Sequence, residues 1–160
     1  MKKLAASFIV LLLCPVLAFA QSFEWISGAT YNTSIPTPES VLGYKIGTYL
    51  TDHHQMDEYI HALEEAAPEM VQVIEYAESY ERRKMYIMII SSPQNMQRLE
   101  EIRTTIGQLN DPRTLSASDV DRIVSETPPI GFMNYSTDGN ETAAFEVGIQ
   151  LAYQLTAGTD

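Results

Sequence analysis

Two short apolar runs flank a charged tip. Val71-Gln72-Val73-Ile74-Glu75-Tyr76 is rich in β-branched residues, Met85-Tyr86-Ile87-Met88-Ile89-Ile90 is apolar nearly throughout, and Ser79-Tyr80-Glu81-Arg82-Arg83-Lys84 separates them. Runs this short and this β-branched read as strands, and the polar segment between them predicts a hairpin. An isolated hairpin is marginal in water, so something must cover it. The flanking sequence offers helices. From Asp52, a predicted N-cap, Met56, Tyr59, Ile60, Leu63 and Ala67 recur at helical spacing until Pro68 ends the pattern. After the hairpin, Pro93 suits a first helical turn, and Met96, Leu99, Ile102, Arg103 and Ile106 continue the period to Gly107. Ser118 and Asp119 open a shorter helix that stops before Pro128-Pro129, and Ile130-Gly131-Phe132-Met133 reads as a brief buried strand. The last segment fits both periods. Phe145, Val147, Ile149, Leu151, Tyr153 and Leu155 alternate, whereas Ala144, Phe145, Ile149, Ala152 and Leu155 follow a helix; length and Ala, Gln, Glu and Leu content decide for helix. The expected class is α/β, with helices layered around a sheet.

The N-terminus carries a different signal. Lys2 and Lys3 precede an apolar stretch over residues 4–17, and Ala18-Phe19-Ala20 is a small-x-small cleavage pattern, so residues 1–20 are expected to be a Sec-type signal peptide. The stretch is shorter than the ~20 residues that span a bilayer, and no later segment approaches that length. The mature protein is therefore expected outside the cytoplasm, secreted or periplasmic, with no membrane partner. Leu13 and Pro15 around Cys14 argue against lipidation, and the only cysteine leaves with the signal. That excludes a disulfide framework, thiol catalysis and a cysteine metal site. Losing a signal with two lysines and no acids moves the net charge from −11 to −13, which excludes nucleic acid as a partner and favours solubility. Residues 21–51 are polar and turn-rich, with Pro36 and Pro38, and read as an extended leader packing on the surface; residues 52–160 form the domain.

For chemistry, the segment Tyr135-Ser136-Thr137-Asp138-Gly139-Asn140-Glu141 stands out, because it links the run ending at Met133 to the last helix. The edge where strands leave an open α/β sheet is where ligands bind. Asp138 and Glu141, three apart, could aim two carboxylates at one cation; equally, Asp at an N-cap with Glu at N3 is a capping box, and Asp-Gly is a common turn dipeptide. His54, Glu58 and His61, spaced four and three apart on one helix face, form a second metal-capable set, or a solvated face. Tyr76, Tyr80 and Tyr86 suit cross-strand packing. There is no glycine-rich phosphate loop and no Ser-His-Asp nucleophile signature.

Several motifs occur in an order that resembles bacterial secreted zinc carboxypeptidases of the M14 (carboxypeptidase A-like) family: Thr37-Pro38-Glu39-Ser40-Val41-Leu42-Gly43; Ser79-Tyr80-Glu81-Arg82-Arg83 before an apolar strand; Ile90-Ser91-Ser92-Pro93-Gln94-Asn95 opening a helix that holds Leu99-Glu100-Glu101-Ile102-Arg103; and Asp138-Gly139-Asn140-Glu141. The similarity runs over nearly the whole mature chain. It implies a partial mixed-sheet carboxypeptidase-like (phosphorylase/hydrolase-like) fold, a zinc cofactor, and peptide or protein C-termini as substrates. In that family the last motif reads His-x-x-Glu and supplies two zinc ligands, which places Asp138 and Glu141 on the metal.

Three departures qualify what the resemblance implies. Asp138 stands where the family has His; zinc accepts carboxylate oxygen at about 2.0–2.2 Å, but two carboxylates offset the metal's charge and leave its bound water less acidic. Arg82 stands where the family usually has Gly, at a cost of about 1 kcal/mol if the turn needs positive φ. The family's third ligand, its Arg and Asn for the substrate carboxylate, its Tyr and its general-base Glu have no counterpart up to Asp160. The expectation is an N-terminal portion of a zinc metallocarboxypeptidase, inactive by itself. The alternative is a non-catalytic binding module on the same scaffold with a degenerate metal site.

Overall fold

Asp52 begins the helix that organises the chain. Its carboxylate accepts the Gln55 amide at 3.0 Å and the Gln55 side chain accepts the Asp52 amide at 3.1 Å, a reciprocal capping box that satisfies two otherwise orphaned donors. The computed structural model describes residues 25–138, 141 and 143–159, so the signal peptide expected at 1–20, and Gly139 and Asn140, lie outside the described residues. In chain order the elements are α1 (Pro38–Leu42), α2 (His53–Ala66), β1 (Val71–Glu78), β2 (Lys84–Ile90), α3 (Pro93–Met96), α4 (Leu99–Gln108), α5 (Ala117–Glu126) and α6 (Ala144–Ala157). The class is the α/β one expected, with helices around an antiparallel two-stranded sheet.

The sheet register explains which face is covered. Val71 pairs with Ile90 and Val73 with Met88, and these four side chains pack on the core with α2 and α6. Residues alternate faces along a strand, so Ile74 and Ile87, also paired, point the other way and are exposed together with Tyr76 and Met85. The core cluster joins Tyr59, Leu63 and Ala67 at the helical period along and just past α2 to Ile149, Ala152, Tyr153 and Ala157 of α6. Tyr59 is fully buried and its hydroxyl donates to the Pro36 carbonyl at 3.1 Å; burial, with Tyr153 nearby, pushes its phenol far above the ordinary value.

Four features differ from the sequence expectation. Within the expected leader, the described residues 25–51 do more than cover the surface: Ile35 lies in the core, and Tyr31 stacks on Tyr153 with centroids 5.2 Å apart while donating to Gln154 Oε1 at 2.6 Å. The helix expected from Pro93 to Gly107 is two. Ser92 caps a single turn whose end closes with short-range bonds, from the Gln97 amide to the Asn95 and Pro93 carbonyls, before α4 restarts at Leu99. The strand expected at residues 130–133 is absent, and Ile130, Phe132 and Met133 are exposed. Neither sheet edge pairs with it, and an unpaired strand has no ladder to hold it. Finally, α5 starts at Ala117, with Ser116 and Asp119 forming its capping box.

Candidate functional site

The two carboxylates singled out by sequence sit on the turn that leads into α6. The Glu141 amide donates to the Asp138 carbonyl at 3.0 Å, and the Ala144 amide to the Glu141 carbonyl at 3.3 Å, so both residues belong to one hydrogen-bonded approach to the helix. Both are exposed. Just upstream, Ser136 occupies the left-handed region at φ 56°, uncommon for a non-glycine residue. The preceding Tyr135 packs against α6 at Gly148, its ring at the ordinary contact distance of 3.4 Å from where a Cβ would stand.

The capping-box alternative fails on geometry. The N-cap of α6 is Ala143, five residues after Asp138, and it makes no side-chain capping bond. The acid of the first helical turn is Glu146, which is buried and accepts the Thr51 amide at 2.6 Å instead of reaching back to its own helix end. Sequence reasoning passed over Glu146. Its one visible signal was an acid on the apolar side of the last helix, within Ala144-Phe145-Glu146.

The second candidate set is not brought together. His54 and Glu58 are exposed, while His61 turns to Asp57, at 3.4 Å, and Glu64, at 3.3 Å, with its ring edge-on to Tyr86 at 5.5 Å. Glu64 is also engaged by the Val73 amide at 2.7 Å, so this acid ties α2 to β1. Burial, then the hydrogen bond to and charge of Asp57, push the Tyr86 phenol up. The cluster therefore fastens the hairpin to α2. His53 does the same beside it: Nε2 lies 2.7 Å from the Lys84 carbonyl oxygen, which requires that nitrogen to carry the proton. Among the described residues no three His, Cys, Asp or Glu are grouped to hold a metal ion. Asp138 and Glu141 have the oxygen chemistry that zinc accepts and share one turn, so they fit as part of a donor set and not as a complete one.

The zinc carboxypeptidase family model (peptidase M14) matches residues 56–160, from the first turn of α2 through the hairpin and the 138–141 turn to α6. The chain belongs to the zinc carboxypeptidase family. No curated protein and no solved structure matches it. Within this family assignment, Arg82 occupies the left-handed region at φ 60°, the conformation that makes glycine the favoured residue there. Among the described residues no helix is long and apolar enough to cross a membrane.

Proposed function

We propose that this chain carries the first metal-binding turn of an exported zinc metallocarboxypeptidase that removes C-terminal residues from peptides or proteins outside the cytoplasm. The family match spanning Asp138 and Glu141 supports this most directly. In this reading residues 1–20 are the export signal, 21–51 the leader and 52–160 the carboxypeptidase part. Asp138 and Glu141 are its metal ligands. A bound zinc would polarise the scissile carbonyl and activate water. No third donor joins them among the described residues, so these residues are expected to hydrolyse nothing unaided. Metal analysis of the exported protein, together with a C-terminal trimming assay on peptides, tests the proposal. Absence of both bound zinc and trimming would sink it.

A second reading is favoured by one observation: Asp138 stands at the position where the resemblance puts a His. On that reading the protein is a non-catalytic module that binds peptide ends on the same scaffold. Retained peptide binding with no zinc and no hydrolysis would establish it.

A further inference from the structure

We infer that Glu146 is a positioning residue for the 138–141 turn, an inference that rests on the proposed assignment of that turn as metal-binding. Glu146 is 7 % exposed and Thr51 is 5 % exposed, so the 2.6 Å bond from the Thr51 amide to Oε1 is a buried charge-assisted hydrogen bond between segments 95 residues apart. The receiving end is well held. Thr51 precedes the Asp52 cap, its hydroxyl lies 2.9 Å from the Tyr44 hydroxyl, and Tyr44 donates to Gln55 Oε1 at 3.1 Å within the capping box.

The other end leads to the candidate ligands. Glu146 is in the first turn of α6; two residues before it, Ala144 donates to the Glu141 carbonyl, whose own amide donates to Asp138. On the far side, Tyr135 is seated on Gly148. The described residues flanking the two candidate ligands are thus held on both sides, Tyr135 by its contact at Gly148 and Glu146 by the remote Thr51 amide. Fixing the ends of a ligand-bearing loop limits the conformations it must surrender when a ligand is bound.

The remaining Glu146 oxygen sharpens the argument. Oε2 is buried and has no hydrogen-bond partner among the described residues. An unpartnered buried carboxylate oxygen is costly, so stability alone does not account for the carboxylate. What the carboxylate does supply is a strong acceptor that reaches Thr51 and fixes where α6 begins.

The test uses the full chain as wild type, as Glu146→Met, which fills the volume without an acceptor or a buried charge, and as Glu146→Gln, which keeps the acceptor oxygen. Exchange of the Glu141 and Ala144 amides, resolved by NMR, should become about tenfold faster in the Met variant and return close to wild type in the Gln variant. Zinc titration of the same three proteins should show a loss of about tenfold or more for Met and wild-type affinity for Gln, the size expected for a residue supporting a metal ligand. Unchanged exchange at both amides in the Met variant, with only a lower melting temperature, overturns the inference. If wild type itself takes up no zinc, the metal assignment falls, and the amide exchange still decides whether Glu146 holds the turn.

Discussion

The Arg82 amide donates to the Ser79 carbonyl at 2.9 Å while Arg82 itself sits at φ 60°, and the Ser79 amide closes the hairpin on the Arg83 carbonyl at 2.8 Å. A tight hairpin loop ending in a left-handed residue suits glycine, and an L side chain there costs about 1–2 kcal/mol. Glycine also frees the unfolded chain, which takes back part of that gain. Arg82→Gly should therefore stabilise the protein by about 0.5–1 kcal/mol in urea unfolding. A lower midpoint would show that the arginine side chain stabilises the tip.

Alkaline pH should unfold the protein through its tyrosines. Burial raises the phenols of Tyr59, Tyr86 and Tyr153 above the ordinary value of 10.0. A raised folded value means that the native state holds its proton more tightly than the unfolded chain. This contribution is complete below pH 10 and is lost as pH climbs from there towards the folded values. Tyrosinate absorbance and circular dichroism should change together above pH 10; early ionisation of all nine tyrosines with the fold intact would contradict it.

Leu63 is fully buried where α2 meets the sheet and α6. Leu63→Ala leaves a cavity lined by side chains from several elements, and the expected loss is about 2–5 kcal/mol. Urea denaturation measures it, and a loss below about 1 kcal/mol would mean that the site collapses around the deletion.

Asp138→His replaces one of two adjacent acids with the neutral ligand that the family resemblance puts there. Zinc affinity, measured by competition with a chelator, should rise by about tenfold or more. A fall would show that the aspartate is the better ligand at this turn.

Where signals are local, the sequence was readable. Asp52 announces a cap, the α2 period is carried by Tyr59, Leu63 and Ala67, and the ambiguous last segment folds as the helix its length favoured. Arg82 was readable through the family resemblance, which puts a glycine there, and its φ of 60° is the left-handed geometry that glycine would suit. What escaped depends on remote partners. Ile35 is buried because α2 and α6 leave room for it, and residues 130–133 stay irregular because neither β1 nor β2 pairs with them. Glu146 carries no local signal of its role, because its partner is the Thr51 amide of a distant segment. Of the candidate site, the turn bearing Asp138 and Glu141 was legible from motif order, whereas its anchoring by Tyr135 and Glu146 was not.

The outward face of the hairpin, with Ile74, Ile87, Tyr76 and Met85 in the open, sits on a chain of net charge −11. Two such molecules are drawn together by oily surface over short range and pushed apart by charge over a longer one. Salt shortens only the repulsion, from a reach of about 10 Å at 0.1 M to about 3 Å at 1 M. Light scattering should therefore find the protein dispersed at low ionic strength and self-adhesive at high ionic strength.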